Sequence, residues 1–205
     1  MRRDEFAARL VNACDEVLAA EAELTEIDSR FGDADHGLTM RKVANAIKDA
    51  VEQADGGIQE MLDDAAMAVM VLNGGSAVPL WNTWLDGMQE AAPDGEEISA
   101  TDFKAMVANA LSELSDMSGA EVGDKTMMDA VIPASEAVAT AEGDVAELIA
   151  AGAEAADAGA ENSKRFASKF GRARSYGDKT IGTPDAGAVS MARFWRGLAR
   201  FQESA

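Results

Sequence analysis

The stretch Leu24-Thr25-Glu26-Ile27-Asp28-Ser29-Arg30-Phe31-Gly32-Asp33-Ala34-Asp35-His36-Gly37-Leu38 lies between two runs of helical apolar spacing, and reading it as an acidic helix junction decides the fold. Upstream, from Asp4 to about Glu23, Phe6, Leu10, Cys14, Val17, Leu18 and Leu24 recur at three- and four-residue steps, one stripe of an amphipathic helix. Downstream, Met40, Val43, Ile47, Ala50, Val51 and Ala54 form a second stripe that Asp55-Gly56-Gly57 stops. Between the stripes, Asp28, Asp33 and Asp35 supply three hard oxygen ligands, and the glycines let the backbone turn tightly enough to aim them at one point. Mg2+ suits such a set, because it takes one or two protein carboxylates and fills its octahedron with water and phosphate oxygens. Three aspartates would serve one ion or share two. His36 and Gly37 open the second helix, whose unpaired N–H groups and positive dipole end favour a phosphate. Acidic glycine turns are also ordinary connectors, so this turn alone does not fix a function. An EF-hand is excluded by spacing: with Asp33 as loop position 1, the glycine falls one position early and Ala44 stands where the bidentate Glu belongs.

The same period continues along the chain. Ile58 to Leu72 carries Met61, Leu62, Ala65, Ala66, Val69 and Met70. Asn73-Gly74-Gly75-Ser76-Ala77 breaks it, and a fourth helix runs from about Pro79 to Ala91, with the proline tolerated in a first turn. After Ala92-Pro93-Asp94-Gly95, Ser99 or Thr101 can cap a fifth helix bearing Phe103, Met106, Val107, Ala110, Leu111 and Leu114. The following Gly119 to Thr126 imitates a Walker A loop, but its glycine spacing is one short, Asp124 separates Gly123 from Lys125, and a helix precedes it where a strand is needed. A sixth helix takes Val131, Ile132, Ser135 and Val138. A seventh is expected from Gly143-Asp144 to about Phe170, with Gly152 and Gly159 marking a kink or a close helix contact. A basic stretch from Gly171 to Gly182 holds Arg172, Arg174 and Lys179. Pro184-Asp185-Ala186-Gly187 then leads into a final helix with Val189, Ala192, Trp195, Leu198 and Ala199 on one face. Eight helices and no strand predict an all-α, antiparallel up-and-down barrel or bundle, a single domain over residues 1–205. The acidic turn, the glycine turn, the Asp-Lys-Thr turn and the basic loop are then alternate junctions, and alternation places all four at one end.

Composition narrows the partners. Acidic residues number 37 against 18 basic ones, a formal charge of -19, which repels nucleic acid and anionic membrane surfaces. An anionic nucleotide would need metal ions to neutralise it locally. Cys14 is the only cysteine, so no internal disulfide forms, and its place on an apolar stripe puts it in the core. No apolar run follows Arg2 and Arg3, and no segment is long enough to span a bilayer, so a soluble, cytoplasmic protein is expected. Trp195 is expected in the core.

Asp28-x-x-x-x-Asp33-x-Asp35-His36-Gly37 and Gly123-Asp124-Lys125-Thr126-Met127-x-Asp129, in this order, resemble the two motifs of the nucleotide-binding L subunit of dihydroxyacetone kinase, over nearly the whole chain. The resemblance implies a barrel of eight antiparallel helices with ADP or ATP held at one end by two Mg2+ ions. Carried over by position, it implies that Asp28, Asp33 and Asp35 coordinate the metal, and that His36, Gly37, Leu38 and Thr39 line the phosphates, continued by Ser76 and Ala77. Gly119 and Met127 would lie near the adenine, and Arg172 with Asp185, Ala186 and Gly187 would close the pocket. No further catalytic side chain is implied beyond this metal–nucleotide site. The implied partners are a substrate-binding K subunit that holds dihydroxyacetone or a related short ketose, and a phosphocarrier M subunit that rephosphorylates a tightly held ADP. A directly ATP-dependent kinase subunit and a non-catalytic, nucleotide-loaded regulatory module are the alternatives. The chain departs from the pattern at Ala77 and Val78, where a Ser and a Gly are expected, in the basic loop, and at Asp185-Ala186-Gly187-Ala188, which stands for D-P-G-A.

Overall fold

The computed structural model describes residues 1–201. These form nine α-helices: α1 (Arg3–Ala19), α2 (Glu21–Ser29), α3 (His36–Gln53), α4 (Ile58–Met70), α5 (Ala77–Glu90), α6 (Ala100–Ser118), α7 (Met128–Thr140), α8 (Val145–Asn162) and α9 (Ala186–Ala199). Among the described residues there is no β-strand, only an isolated bridge between Arg2 and Glu97. The expected all-α fold is what the chain adopts.

The helices pack in a closed cycle. From α3 to α9 each helix packs on the next, and α1 packs on both α3 and α9, which closes the ring. Side-chain ties show neighbours running antiparallel: Asp15 and Glu21 meet Lys48 and Arg41, Lys104 reaches the Ala139 and Ala141 carbonyls, and Arg9 and Glu23 meet Leu198 and Arg193. Inside lies one apolar core that includes Phe6, Phe103, Phe194, Trp81, Trp84 and Trp195 as edge-on aromatic contacts, and Cys14 is buried within it. Edge-on packing matches the positive ring rim to the negative face of its neighbour.

Two helix boundaries differ from the periodicity. The first stripe breaks at Ala20 into α1 and α2. The break lets α2 lean onto the start of α3, where Gly37 sits against the Glu21 carbonyl so closely that a Cβ would stand 2.2 Å from it. The seventh stripe stops at Asn162 instead of reaching Phe170. Ser163 turns its hydroxyl back to the Ala160 carbonyl, a 3-10 turn follows, and Phe166 is extended. Beyond Arg165 the chain instead pairs with other loops, through Lys169 N–H to the Asp124 carbonyl and Ser168 N–H to the Thr180 hydroxyl. The glycines inside α8 mark close contacts: a Cβ at Gly152 would meet the Trp195 ring at 2.5 Å, and one at Gly159 the Asp129 carbonyl at 2.0 Å. The starts of α6 and α8 carry reciprocal capping boxes, Ser99 with Asp102 and Asp144 with Glu147.

Candidate functional site

The junctions α2–α3, α4–α5, α6–α7 and α8–α9 wall one open cavity of about 550 Å3, so the four unusual turns do share one end of the ring. The plain connectors gather at the other, where Arg3 bonds the Ala54 and Gly56 carbonyls and Ile58 N–H bonds the Gly95 carbonyl.

The acidic turn folds around Asp28. Its Oδ2 accepts the N–H groups of Asp35 at 3.0 Å and His36 at 3.4 Å, which anchors the start of α3 to the last turn of α2. Gly32 is required by space, since a Cβ there would stand 2.0 Å from Asp28 Oδ1. Ala34 takes a left-handed φ of 62°, unusual without glycine and typical of a turn fixed by its surroundings. As a result, one carboxylate oxygen from each of Asp28, Asp33 and Asp35 lies within 4.8 Å of the others. Three carboxylates that close repel one another, and a cation relieves them. In the structure the Arg172 guanidinium pairs with Asp33, and the Phe31 and Tyr176 rings meet with centroids 5.3 Å apart, so the basic loop rests on the acidic turn. The donor set fits Mg2+: three hard oxygens, partly open to solvent, beside a helix N-terminus.

His36 stands at that N-terminus. Its Nε2 lies 3.2 Å from the Ser190 hydroxyl, which also lies 2.9 Å from the Gly187 carbonyl. Burial lowers the pKa of the ring, against the pull of Asp28 and a backbone contact to Ala186. His36, Thr39, Ser76, Ala77, Met127, Arg172, Asp185, Ala186 and Gly187 all line the cavity with the three aspartates. Gly37, Leu38 and Gly119 do not form part of its wall. Gly37 is packed into α2, Leu38 turns outward, and Gly119 is the left-handed cap of α6 with φ 62°, while their neighbours Thr39, Ser118 and Ala120 face in.

The α6–α7 turn is held by Asp129, which is 1% exposed and accepts the Gly123 N–H at 2.7 Å and the Thr126 N–H at 2.8 Å. Asp124 accepts the Glu121 N–H and pairs with Lys169 at 2.6 Å, and both hold its carboxyl below the usual range. The Walker-like Lys125 therefore does not act as a P-loop lysine: its ammonium donates to the Ser163 and Thr183 carbonyls, and burial lowers its pKa. Asp185 caps α9 through the Ala188 N–H at 2.7 Å. Burial pushes its pKa up to about 7, the Asp129 charge adds to the shift, and the Ala188 N–H and Lys125 oppose it.

Sequence reasoning missed the apolar part of the wall, formed by Leu80, Trp81, Met117, Met128 and Phe170. The signal for Trp81 was available: it lies one helical turn beyond Ala77, on the face that leads away from the glycine turn. Met117 and Phe170 come from distant segments and left no local signal.

Fold and site thus define an all-α domain whose alternate helix junctions build a carboxylate-edged cavity. A family model described as the DAK2 domain matches residues 30–200, and the chain belongs to that family. D-erythrulose kinase of Mycolicibacterium smegmatis is 35% identical over 95% of the chain and 35% of its own length. The ADP-binding subunit of PEP-dependent dihydroxyacetone kinase 2 from Listeria innocua is 30% identical over 82% of the chain and 80% of its own length. The crystal structure of the C. freundii dihydroxyacetone kinase in complex with AMP-PNP and Mg2+ shares the fold with a TM-score of 0.72 at 22% identity, over 95% of the chain and 33% of that structure. The chain spans about a third of the length of the erythrulose kinases it matches.

Proposed function

We propose that the chain is the Mg2+- and ADP/ATP-binding module of a kinase that phosphorylates dihydroxyacetone or a related short ketose held on a separate K subunit. The observation that carries this reading is the convergence of the Asp28, Asp33 and Asp35 oxygens within 4.8 Å at the edge of a cavity that also has a helix N-terminus and an arginine in its wall. Asp28, Asp33 and Asp35 would hold Mg2+, as one ion or as two. Bound there, the metal would neutralise phosphate charge, which is most of what phosphoryl transfer asks of a protein site. The hydroxyls of Thr39 and Ser76 orient anionic oxygens beside the positive dipole end of α3, and Arg172, paired with Asp33, adds a positive charge at the acidic turn. Trp81, Met117, Met127 and Met128 offer an apolar surface for a base. Ala77 and Val78 bring no hydroxyl to the glycine turn, so Ser76 alone supplies one there. Soluble, cytoplasmic action beside the K subunit and a phosphocarrier M subunit belongs to the same proposal; no helix among the described residues is long and apolar enough to cross a membrane.

Two donors fit this site. The likeness to an ADP-binding, PEP-dependent subunit supports a resident ADP rephosphorylated in place, and free ATP that exchanges at each turnover is the alternative. Mass spectrometry of protein denatured after gentle purification in Mg2+ separates them: stoichiometric ADP supports the resident cofactor, and an empty site that binds added ATP supports exchange. Asp33→Asn and Asp35→Asn should each remove nucleotide-dependent transfer, by about a hundredfold or more, while circular dichroism stays helical. Full transfer by both variants would refute the metal role.

A further inference from the structure

Lys125 has no part in the binding roles above, although it stands in the cavity wall. Its backbone is left-handed, with φ 61°, and the residue is 5% exposed. A lysine is held in that conformation only where its surroundings over-determine it. Its Nζ donates to the Ser163 carbonyl at 2.7 Å and to the Thr183 carbonyl. Those carbonyls are the two ends of one excursion. The chain leaves α8 at Ser163, runs out through residues 164–182, and returns at Thr183, two residues before Asp185 caps α9.

The excursion supplies Ser168, Phe170, Gly171, Arg172 and Ala173 to the cavity, and its Arg172 pairs with Asp33. Its neck is tied across by Gly182 N–H to the Lys164 carbonyl at 2.7 Å and by Ser168 N–H to the Thr180 hydroxyl at 2.9 Å. Ser163 also accepts the Asp185 N–H through its hydroxyl at 2.8 Å, so the residue that Lys125 grips in turn sets the position of Asp185. The turn that presents Lys125 is itself fixed by the two N–H bonds into the buried Asp129 carboxylate.

We infer that Lys125 is a positioning residue whose buried ammonium buckles both ends of the 164–182 excursion to the α6–α7 turn, and so holds Arg172 and Asp185 at the cavity. Opening the buckle would break both charge-assisted bonds of the ammonium to the Ser163 and Thr183 carbonyls, which makes the neck stiff. The effect on ligand rests on the nucleotide reading above, whereas the mechanical role does not.

The test compares Lys125→Gln with a control, Lys164→Gln, whose ammonium pairs with surface Glu161. Limited trypsin digestion after Arg172, Arg174 and Lys179 should run about tenfold faster or more in Lys125→Gln, and its Kd for Mg2+·ADP should rise about tenfold, with the control like the parent. Equal cleavage rates in parent and Lys125→Gln would overturn the buckle. Faster cleavage with an unchanged Kd would overturn its link to the ligand site. If the parent itself binds no nucleotide, the proposed function fails, and the cleavage rates still judge the buckle. Should Lys125→Gln not fold, hydrogen exchange in the parent decides: the Ser168 and Gly182 amides should exchange as slowly as those of α8, and rapid exchange overturns the inference.

Discussion

At single positions the structure turns small chemical differences into site geometry. Gly32 leaves the space that Asp28 Oδ1 occupies, and its N–H is already committed to the Asp28 carbonyl at 2.7 Å, so neither partner can retreat freely. Gly32→Ala should therefore displace the Asp28 carboxylate and weaken Mg2+·ADP binding about tenfold, with about 1–2 kcal/mol lost in stability, measurable by calorimetry and urea melts. Asp185 makes a pH prediction. Its folded pKa of about 7 lies above the 3.8 of an ordinary aspartate, so between those values the folded chain holds more protons than the unfolded one. Stability contributed by this group is full below about pH 4 and falls as pH rises towards 7. Asp185→Asn, which keeps the α9 cap, should raise the nucleotide-free Tm at pH 8, by on the order of 2 kcal/mol in stability, and change little at pH 4.

At the scale of helices, close approach without side chains does what no capping residue does. Gly159 brings the end of α8 onto the backbone at Asp129, the carboxylate that sets the α6–α7 turn. Gly159→Ala should cost about 2–3 kcal/mol and also weaken Mg2+·ADP binding, because the helix must lift off that turn; unchanged melting and binding would contradict the account. Much of this level was legible beforehand. Apolar periodicity located every long helix, and Ser99 and Asp144 announced their caps through short-range bonding. The break at Ala20 was not legible, because it follows from how α2 meets Gly37 on α3. Nor was the end of α8, since polar residues after Asn162 are helix-compatible locally and leave the helix only to bond Asp124 and Thr180. The site shows the same division. The three aspartates were visible as a local pattern, whereas the grip of Lys125 on Ser163 and Thr183 spans 38 and 58 residues and has no sequence period.

Over the whole molecule, the charge of -19 is spread on a ring only about 200 residues around, and self-repulsion opposes the folded state. Raising NaCl from about 0.02 to 0.5 M should shorten the screening length several-fold and raise the Tm by a few degrees; a flat or falling Tm would show that the ion pairs outweigh the repulsion. The contact between the first and last helices has a different consequence. Arg9 holds the Leu198 carbonyl, Asn12 holds that of Gly197, and Gly197 lies against Ala13 with no room for a Cβ. This seam is packed as tightly as contacts between consecutive helices, so the ring has no structurally privileged beginning. The start of α1 and the end of α9 both lie at the blunt end, away from the cavity. A circular permutant that joins residue 200 to Met1 through a short flexible bridge and opens between Glu142 and Gly143 would therefore rearrange the order of synthesis while leaving every wall of the cavity in place.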